Sequence, residues 1–189
     1  YRSADFLFLG NISPRLQLAV LGQMKKRPKL VVSDTMNFYI EREPQKVLEV
    51  VKEVDIALMN DAEARQLFQT PNIVKAAKKI LSMNSDYAII KKGEHGCVMF
   101  TDKSHFAVPG YPLENIVDPT GSGDTFAGAL IGYLAKRGKV NEKEILKAMV
   151  LACSAASINA EGFSLESLKK ASLKTITTRA KEFREFVKF

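Results

Sequence analysis

From Asp5 to Ile90, short apolar runs alternate with longer stretches in which apolar positions recur every three or four residues. The first pattern reads as buried strands and the second as amphipathic helices. Asp5 to Leu9 predicts a short strand, and Ser13 with Pro14 supplies an N-cap and first-turn proline for a helix running to about Lys25. Leu30 to Ser33 is the next strand, followed by a loop around Met36 and Asn37. Pro44 opens a helix with Val47, Leu48, Val50 and Val51, and Ile56 to Met59 is a third strand. One helix begins near Asp61 and another at Pro71, the second carrying Ile73, Val74, Ala77, Ile80 and Leu81 on one face and leading to a strand from Tyr87 to Ile90.

Beyond Ile90 the pattern changes. Cys97 to Thr101 and His105 to Val108 predict a hairpin across Asp102 to Ser104, and three long helices are expected from Thr125 onward. Strands separated by helical crossovers predict an α/β fold with a mostly parallel sheet flanked by helices on both faces. In such sheets ligands bind at the carboxyl ends of the strands.

Composition narrows this picture without choosing a function. With 189 residues, 46% of them hydrophobic, the chain can bury a core and is expected to form one domain over residues 1–189. Cys97 and Cys153 stand in apolar surroundings and read as buried, reduced thiols, which points to the cytoplasm. There is no signal peptide, repeat or apolar run near the ~18 residues of a membrane span. The net charge is +7, and Lys169, Lys170, Lys174, Arg179, Lys181, Arg184 and Lys188 concentrate positive charge near the C-terminus. They alternate with Leu173, Ile176, Phe183 and Phe186 at helical spacing, so a solvated helix face is expected rather than a nucleic-acid stripe. A positive field would also favour anionic nucleotides.

The chemistry gathers in DPTGSGDTFAGAL, Asp118 to Leu130. Gly121 and Gly123 let the backbone approach a ligand, and the apolar positions Phe126, Ala127, Leu130, Ile131 and Leu134 mark a following helix. The first amides of a helix lack intrahelical partners and, with the positive end of the dipole, make an anion site. Asp124 in the first turn is placed to take a proton from an attacking hydroxyl. Gly, Ser and Asp before an apolar run also serve as ordinary turn and cap residues, so GSGD alone leaves a plain helix start open. Two phosphate motifs are excluded: a P-loop needs Lys and Ser/Thr after its second glycine, where Asp124 and Thr125 stand, and the dinucleotide fingerprint needs Gly or Ala at Phe126.

The whole run resembles the second signature of the ribokinase-like (PfkB) carbohydrate kinases, and every position from Asp118 to Ile131 fits it. The resemblance implies ATP-dependent phosphorylation of a sugar or nucleoside hydroxyl. It makes Asp124 the catalytic base and the amides of Gly121, Ser122, Gly123 and Asp124 an anion hole for the transferred phosphoryl group. It also gives Asp118 a place near a monovalent cation such as K⁺.

Two other segments follow strands. NDAE, Asn60 to Glu63, reads as a capping box and also matches the family's NxxE motif, where the Glu helps organise Mg²⁺ through water. KKGEHG, Lys91 to Gly96, needs Gly93 and Gly96 for its turn. In the family this segment borders the nucleotide, and Lys91 holds a position from which its ammonium would reach the phosphates. Lys92 reads as a solvated charge, and His95 and His105 as structural or surface residues. The helix Ile145 to Asn159 is rich in small residues, and in the family this region lines the adenine pocket, which makes Ala156 and Asn159 expected base contacts; Gly162 fits the turn that ends it.

The chain departs from the family in two ways. Asp34 opens DTMN where DPN followed by Arg is common, so the loop's substrate-side role is left open. The match covers only the family's C-terminal portion, without its amino-terminal strands, lid and first signature, so a fragment is expected rather than a shortened protein. A catalytically silent, nucleotide-binding relative with a regulatory or assembly role is the alternative reading. Homodimerisation stays open.

Overall fold

The computed structural model describes residues 1–186, the side chain of Arg184 excepted. Arg184's side chain and Lys188, both counted above in the basic face, lie outside the described residues. The chain divides into two compact units, Tyr1–Lys92 with Val98–Phe106, and Gly93–Cys97 with Ala107–Phe189.

The first unit is built on a sheet in which strand order follows chain order: β1 (Phe6–Leu9), β2 (Leu30–Ser33), β3 (Ile56–Asn60), β4 (Tyr87–Lys91), β5 (Cys97–Phe100) and β6 (His105–Val108). The first four run parallel, in registers such as Phe6 opposite Leu30 and Asn60 opposite Lys91. β5 and β6 are neighbours joined by four residues, too few for a parallel crossover, and the Thr101 amide closes their turn on Ser104 O at 2.8 Å. The sheet is therefore mixed, its parallel part being the larger.

Between the parallel strands lie α1 (Pro14–Gly22), α2 (Asn37–Arg42), α3 (Pro44–Glu53), α4 (Asp61–Phe68) and α5 (Ile73–Leu81). Right-handed crossovers that always step in the same direction put their helices on one face of the sheet. The core agrees. Val31, Ala57, Met59, Ala88 and Ile90 from the strands join Val47, Val50, Val51, Ala64, Leu67, Phe68, Ala77 and Ile80 from the helices in one cluster. The alternate strand residues Leu30, Val32, Ile56, Leu58 and Ile89 are at most 1% exposed, so the other face is covered too. Burying such side chains contributes about 1.5–3 kcal/mol each.

One element departs from the sequence reading. The expected loop around Met36 and Asn37 becomes α2 from Asn37 on, a single short helix with no side-chain cap at Met36. Ile40 is buried against the core and Tyr39 packs beside it, so tertiary contact supplies what local signals do not.

The second unit contains α6 (Ser122–Arg137), α7 (Glu142–Ala160), α8 (Glu166–Lys170) and α9 (Leu173–Phe186). These are three long helices and a short one, and α6 starts at Ser122, three residues before the expected Thr125. α7 packs along both α6 and α9. Of the expected apolar partners on α9, Phe183 is buried and Ile176 half-buried, but Leu173 and Phe186 are exposed. Arg179 is ion-paired to Glu161 at 2.8 Å and lies over the Tyr111 ring, and Lys169, Lys170, Lys174 and Lys181 are exposed.

Glu144 fixes the start of α7 against α6. It accepts from Lys147 Nζ at 2.7 Å, Tyr133 OH at 2.9 Å and Arg137 Nε at 3.2 Å. These bonds, Lys147 first, hold its carboxyl down at about 2. Because the folded value lies below the unfolded one, the stabilisation is fully present above the usual carboxylate range and is lost as pH falls from about 4.5 toward 2. Melting temperature is expected to drop over that window, and Glu144→Gln is expected to flatten the drop; a variant that falls as steeply as wild type would remove Glu144 as the cause.

Candidate functional site

In the first unit, strands β2, β3 and β4 deliver Asp34, Asn60, Glu63 and Lys91 near their carboxyl ends. Asn60 ends β3 and caps α4: its Oδ1 accepts from the Glu63 amide at 2.8 Å, and Glu63 Oε2 accepts from the Asn60 amide at 2.7 Å. The capping box anticipated from NDAE is thus formed. It holds a carboxylate that is only 5% exposed. Burial, opposed by the bond from Asn60 and by the charge of Lys91, raises Glu63 to about 7.

Lys91, expected from the resemblance to reach the nucleotide phosphates, is ion-paired within the first unit. Its ammonium lies 2.5 Å from Asp34 Oδ2, with both side chains largely buried. Asp34 is fixed in turn, its own amide donating to Leu9 O at 3.0 Å and Gln17 Nε2 donating to its carbonyl at 2.9 Å. Spacing along the chain gave no signal for this pair, because Asp34 and Lys91 sit at the ends of different strands.

The second unit carries the glycine-rich run. Gly121 adopts φ +78°, a left-handed conformation that L side chains rarely take, and it turns the chain into α6. The Ser122 amide closes back on Pro119 O at 3.1 Å, and the Thr125 amide makes the first helical bond, to Gly121 O at 2.8 Å. Among the described residues nothing accepts from the amides of Gly121, Gly123 and Asp124. Of the four amides expected to form an anion site, those of Gly121, Gly123 and Asp124 thus have no acceptor among the described residues, and the Ser122 amide closes its own turn. The Asp124 side chain is exposed in the same helical turn.

Asp118 ties this turn down. Its Oδ1 accepts from the Thr120 amide at 3.0 Å and its Oδ2 from the Ser164 amide at 3.2 Å. Hydrogen bonds from Thr120, side chain first and backbone next, and from Ser164 hold its carboxyl below the usual range. Both oxygens are engaged by main-chain donors, so the geometry supports a loop tie.

α7 backs the same turn. Asn159 is 0% exposed, and its Nδ2 donates to Thr120 O at 2.8 Å and Ser122 Oγ at 3.2 Å. Expected as a base contact, it lies inside the unit, whereas Ala156 is half-buried. Cys97 and Cys153 are buried, unbridged thiols with sulfurs 3.7 Å apart.

The KKGEHG turn is held by close backbone crossing. A Cβ on Gly96 would lie 2.1 Å from Val108 O, and one on Gly110 would lie 1.8 Å from Glu94 O. Gly110 was not singled out by sequence, although Pro109-Gly110 is a turn dipeptide. Gly93 starts a single 3₁₀ turn, and His95 and His105 are exposed.

Mg²⁺ favours one or two carboxylates completed by water and substrate phosphates. Among the described residues no group of three or more His, Cys, Asp and Glu could hold a metal by itself. A single buried carboxylate at a helix start fits the indirect arrangement, and the three free amides fit a phosphate. No helix among the described residues is long and apolar enough to cross a membrane.

A mostly parallel sheet with helices between its strands defines a protein of the α/β class. More narrowly, the chain belongs to the pfkB family of carbohydrate kinases, which it matches over residues 1–170. It is 31% identical over 147 residues to the cytidine kinase of Thermococcus kodakarensis, covering 76% of this chain and 52% of that one. It is 33% identical over 123 residues to fructokinase-2 of Oryza sativa subsp. japonica, covering 61% of this chain and 36% of that one. The chain thus spans about half or less of the length of these relatives. Fructokinase from Vibrio cholerae O395, crystallised with fructose, ADP and calcium, superposes with a TM-score of 0.81 at 20% identity, over 95% of this chain and 62% of that one. That likeness establishes the ribokinase-type fold.

Proposed function

We propose that this chain carries the phosphoryl-transfer machinery of an ATP-dependent kinase acting on a hydroxyl of a sugar or nucleoside. One observation carries the reading: three amides without acceptors among the described residues, at Gly121, Gly123 and Asp124, open at a helix start that also presents the exposed Asp124 carboxylate. The amides hold the negative charge that spreads over the phosphoryl oxygens in the transition state, donors already oriented before reaction and therefore without reorganisation cost. Asp124 removes the acceptor's hydroxyl proton as its oxygen bonds to the γ-phosphorus; the bond from that phosphorus to the bridging oxygen breaks, and ADP leaves with the electron pair. No covalent enzyme intermediate is required.

Glu63 is assigned to Mg²⁺ through water, on its burial at the end of β3 and the family match. The ion would supply neutralising charge between the phosphates. Glu63 and Asp124 belong to different units, and their assignment to one reaction rests on family membership. The unbridged thiols fit a reducing compartment such as the cytoplasm.

The test is ADP release by the full-length protein with ATP and Mg²⁺ against a panel of sugars and nucleosides that includes fructose and cytidine. Turnover stimulated by at least one acceptor is expected. Tight ATP binding with no acceptor phosphorylated would instead favour a catalytically silent relative.

A further inference from the structure

Asn159 is the penultimate residue of α7 and is completely buried, an unusual place for a carboxamide. Both donations of its Nδ2 go to one short piece of chain, Thr120 O at 2.8 Å and Ser122 Oγ at 3.2 Å. These two acceptors bracket Gly121, the left-handed residue on which the turn pivots. Ser122 Oγ passes the contact on by donating to Ala156 O at 3.4 Å, three residues earlier on α7. The turn is therefore sewn to the helix beside it on both sides of its pivot.

Among the described residues Asn159 Oδ1 has no hydrogen-bond partner. A buried polar atom left without one is costly, and native proteins keep such atoms for a reason. An apolar side chain of the same size would fill the space without that cost, so packing alone does not account for the asparagine. Its two donor contacts do.

We propose that Asn159 is a positioning residue for phosphoryl binding: its carboxamide sets the direction of the Gly121, Gly123 and Asp124 amides without itself touching nucleotide. The inference rests on the phosphoryl-transfer reading of this turn. A displaced donor set weakens the grip on the transferred group specifically, because in the proposed reaction these amides face that group. Misplacement by about an ångström is enough to lower a catalytic rate about a hundredfold.

Asn159→Leu keeps the volume and removes both the donor contacts and the unpaired oxygen. The experiment measures affinities of full-length wild type and variant for ADP and for AMP-PNP, a non-hydrolysable ATP analogue, together with kcat, acceptor KM and melting temperature. The expected result is a fall of about tenfold or more in the AMP-PNP to ADP affinity ratio and about ten- to a hundredfold in kcat, with ADP affinity and acceptor KM close to wild type. The ratio does not depend on the fraction folded, so a merely structural asparagine would leave it unchanged however far the melting temperature moved. That unchanged ratio would overturn the proposal. If the Leu variant fails to fold, Asn159→Ala gives the same comparison. A wild type that phosphorylates no acceptor would sink the kinase reading alone, because the affinity ratio is read without turnover; a wild type that binds neither nucleotide would sink both.

Discussion

Replacing Asp124 by Asn is expected to lower kcat by about a thousandfold, the scale on which a positioned general base contributes, while leaving ATP binding intact. The side chain is exposed in the first turn of α6, where it supports no core contact, so the variant is expected to fold. Loss of its negative charge removes a favourable interaction with the helix dipole of about 0.3–1 kcal/mol, too small to unfold the chain. The same loss removes repulsion between the carboxylate and a phosphate at the neighbouring amides, so nucleotide affinity is expected to hold or rise. Single-turnover measurements with the best acceptor, set beside nucleotide titrations, separate the two effects. A variant that retains the wild-type rate would show that Asp124 is not the base, and one that loses ATP binding in proportion to rate would make it a binding residue.

Gly110→Ala is expected to destabilise the protein by at least about 3 kcal/mol, at the upper end of what overpacking costs. The new Cβ would meet Glu94 O at 1.8 Å and Glu94 C at 2.6 Å, and both are main-chain atoms with no side-chain rotation available to relieve the clash. Gly96→Ala meets Val108 O and Pro109 C in the same way, at 2.1 and 2.4 Å, and adds the strain of φ +81°. Gly22 provides the control, since nothing lies within 4 Å of where its Cβ would be, and Gly22→Ala is expected to be tolerated. Denaturant unfolding of the three variants should separate them clearly. If Gly110→Ala unfolds at the same midpoint as wild type, the backbone crossing is not as tight as described.

Much of the architecture was legible because its signals are local. Apolar runs and N-cap residues marked β2, β3, β4 and α3 to within a residue or so, and Asn60 with Glu63 announced the capping box that forms. α2 was missed because its stability comes from Ile40 reaching the core, a fact no six-residue window contains. The site divides along the same line. The glycine turn and Asp124 could be read as a motif, whereas the pairing of Lys91 with Asp34 and the anchoring of Thr120 and Ser122 by Asn159 join residues far apart in sequence. The small-residue helix marks Asn159 only as an expected base contact, while its burial and its contacts to Thr120 and Ser122 appear only in the folded chain.

The amides that have no acceptor among the described residues at the start of α6 bear on how nucleotide binding would respond to ionic strength. On the proposed reading, a phosphate at the start of α6 would be met by main-chain N–H groups, which carry no net charge. Contacts between full charges at an exposed surface weaken as salt screens them, but short-range bonds from fixed dipoles in a shaped turn do so far less. The surplus of seven positive charges then acts at a distance, on how often an anionic nucleotide arrives. How long it stays would, on the proposed reading, be set by the shape of the backbone at Gly121.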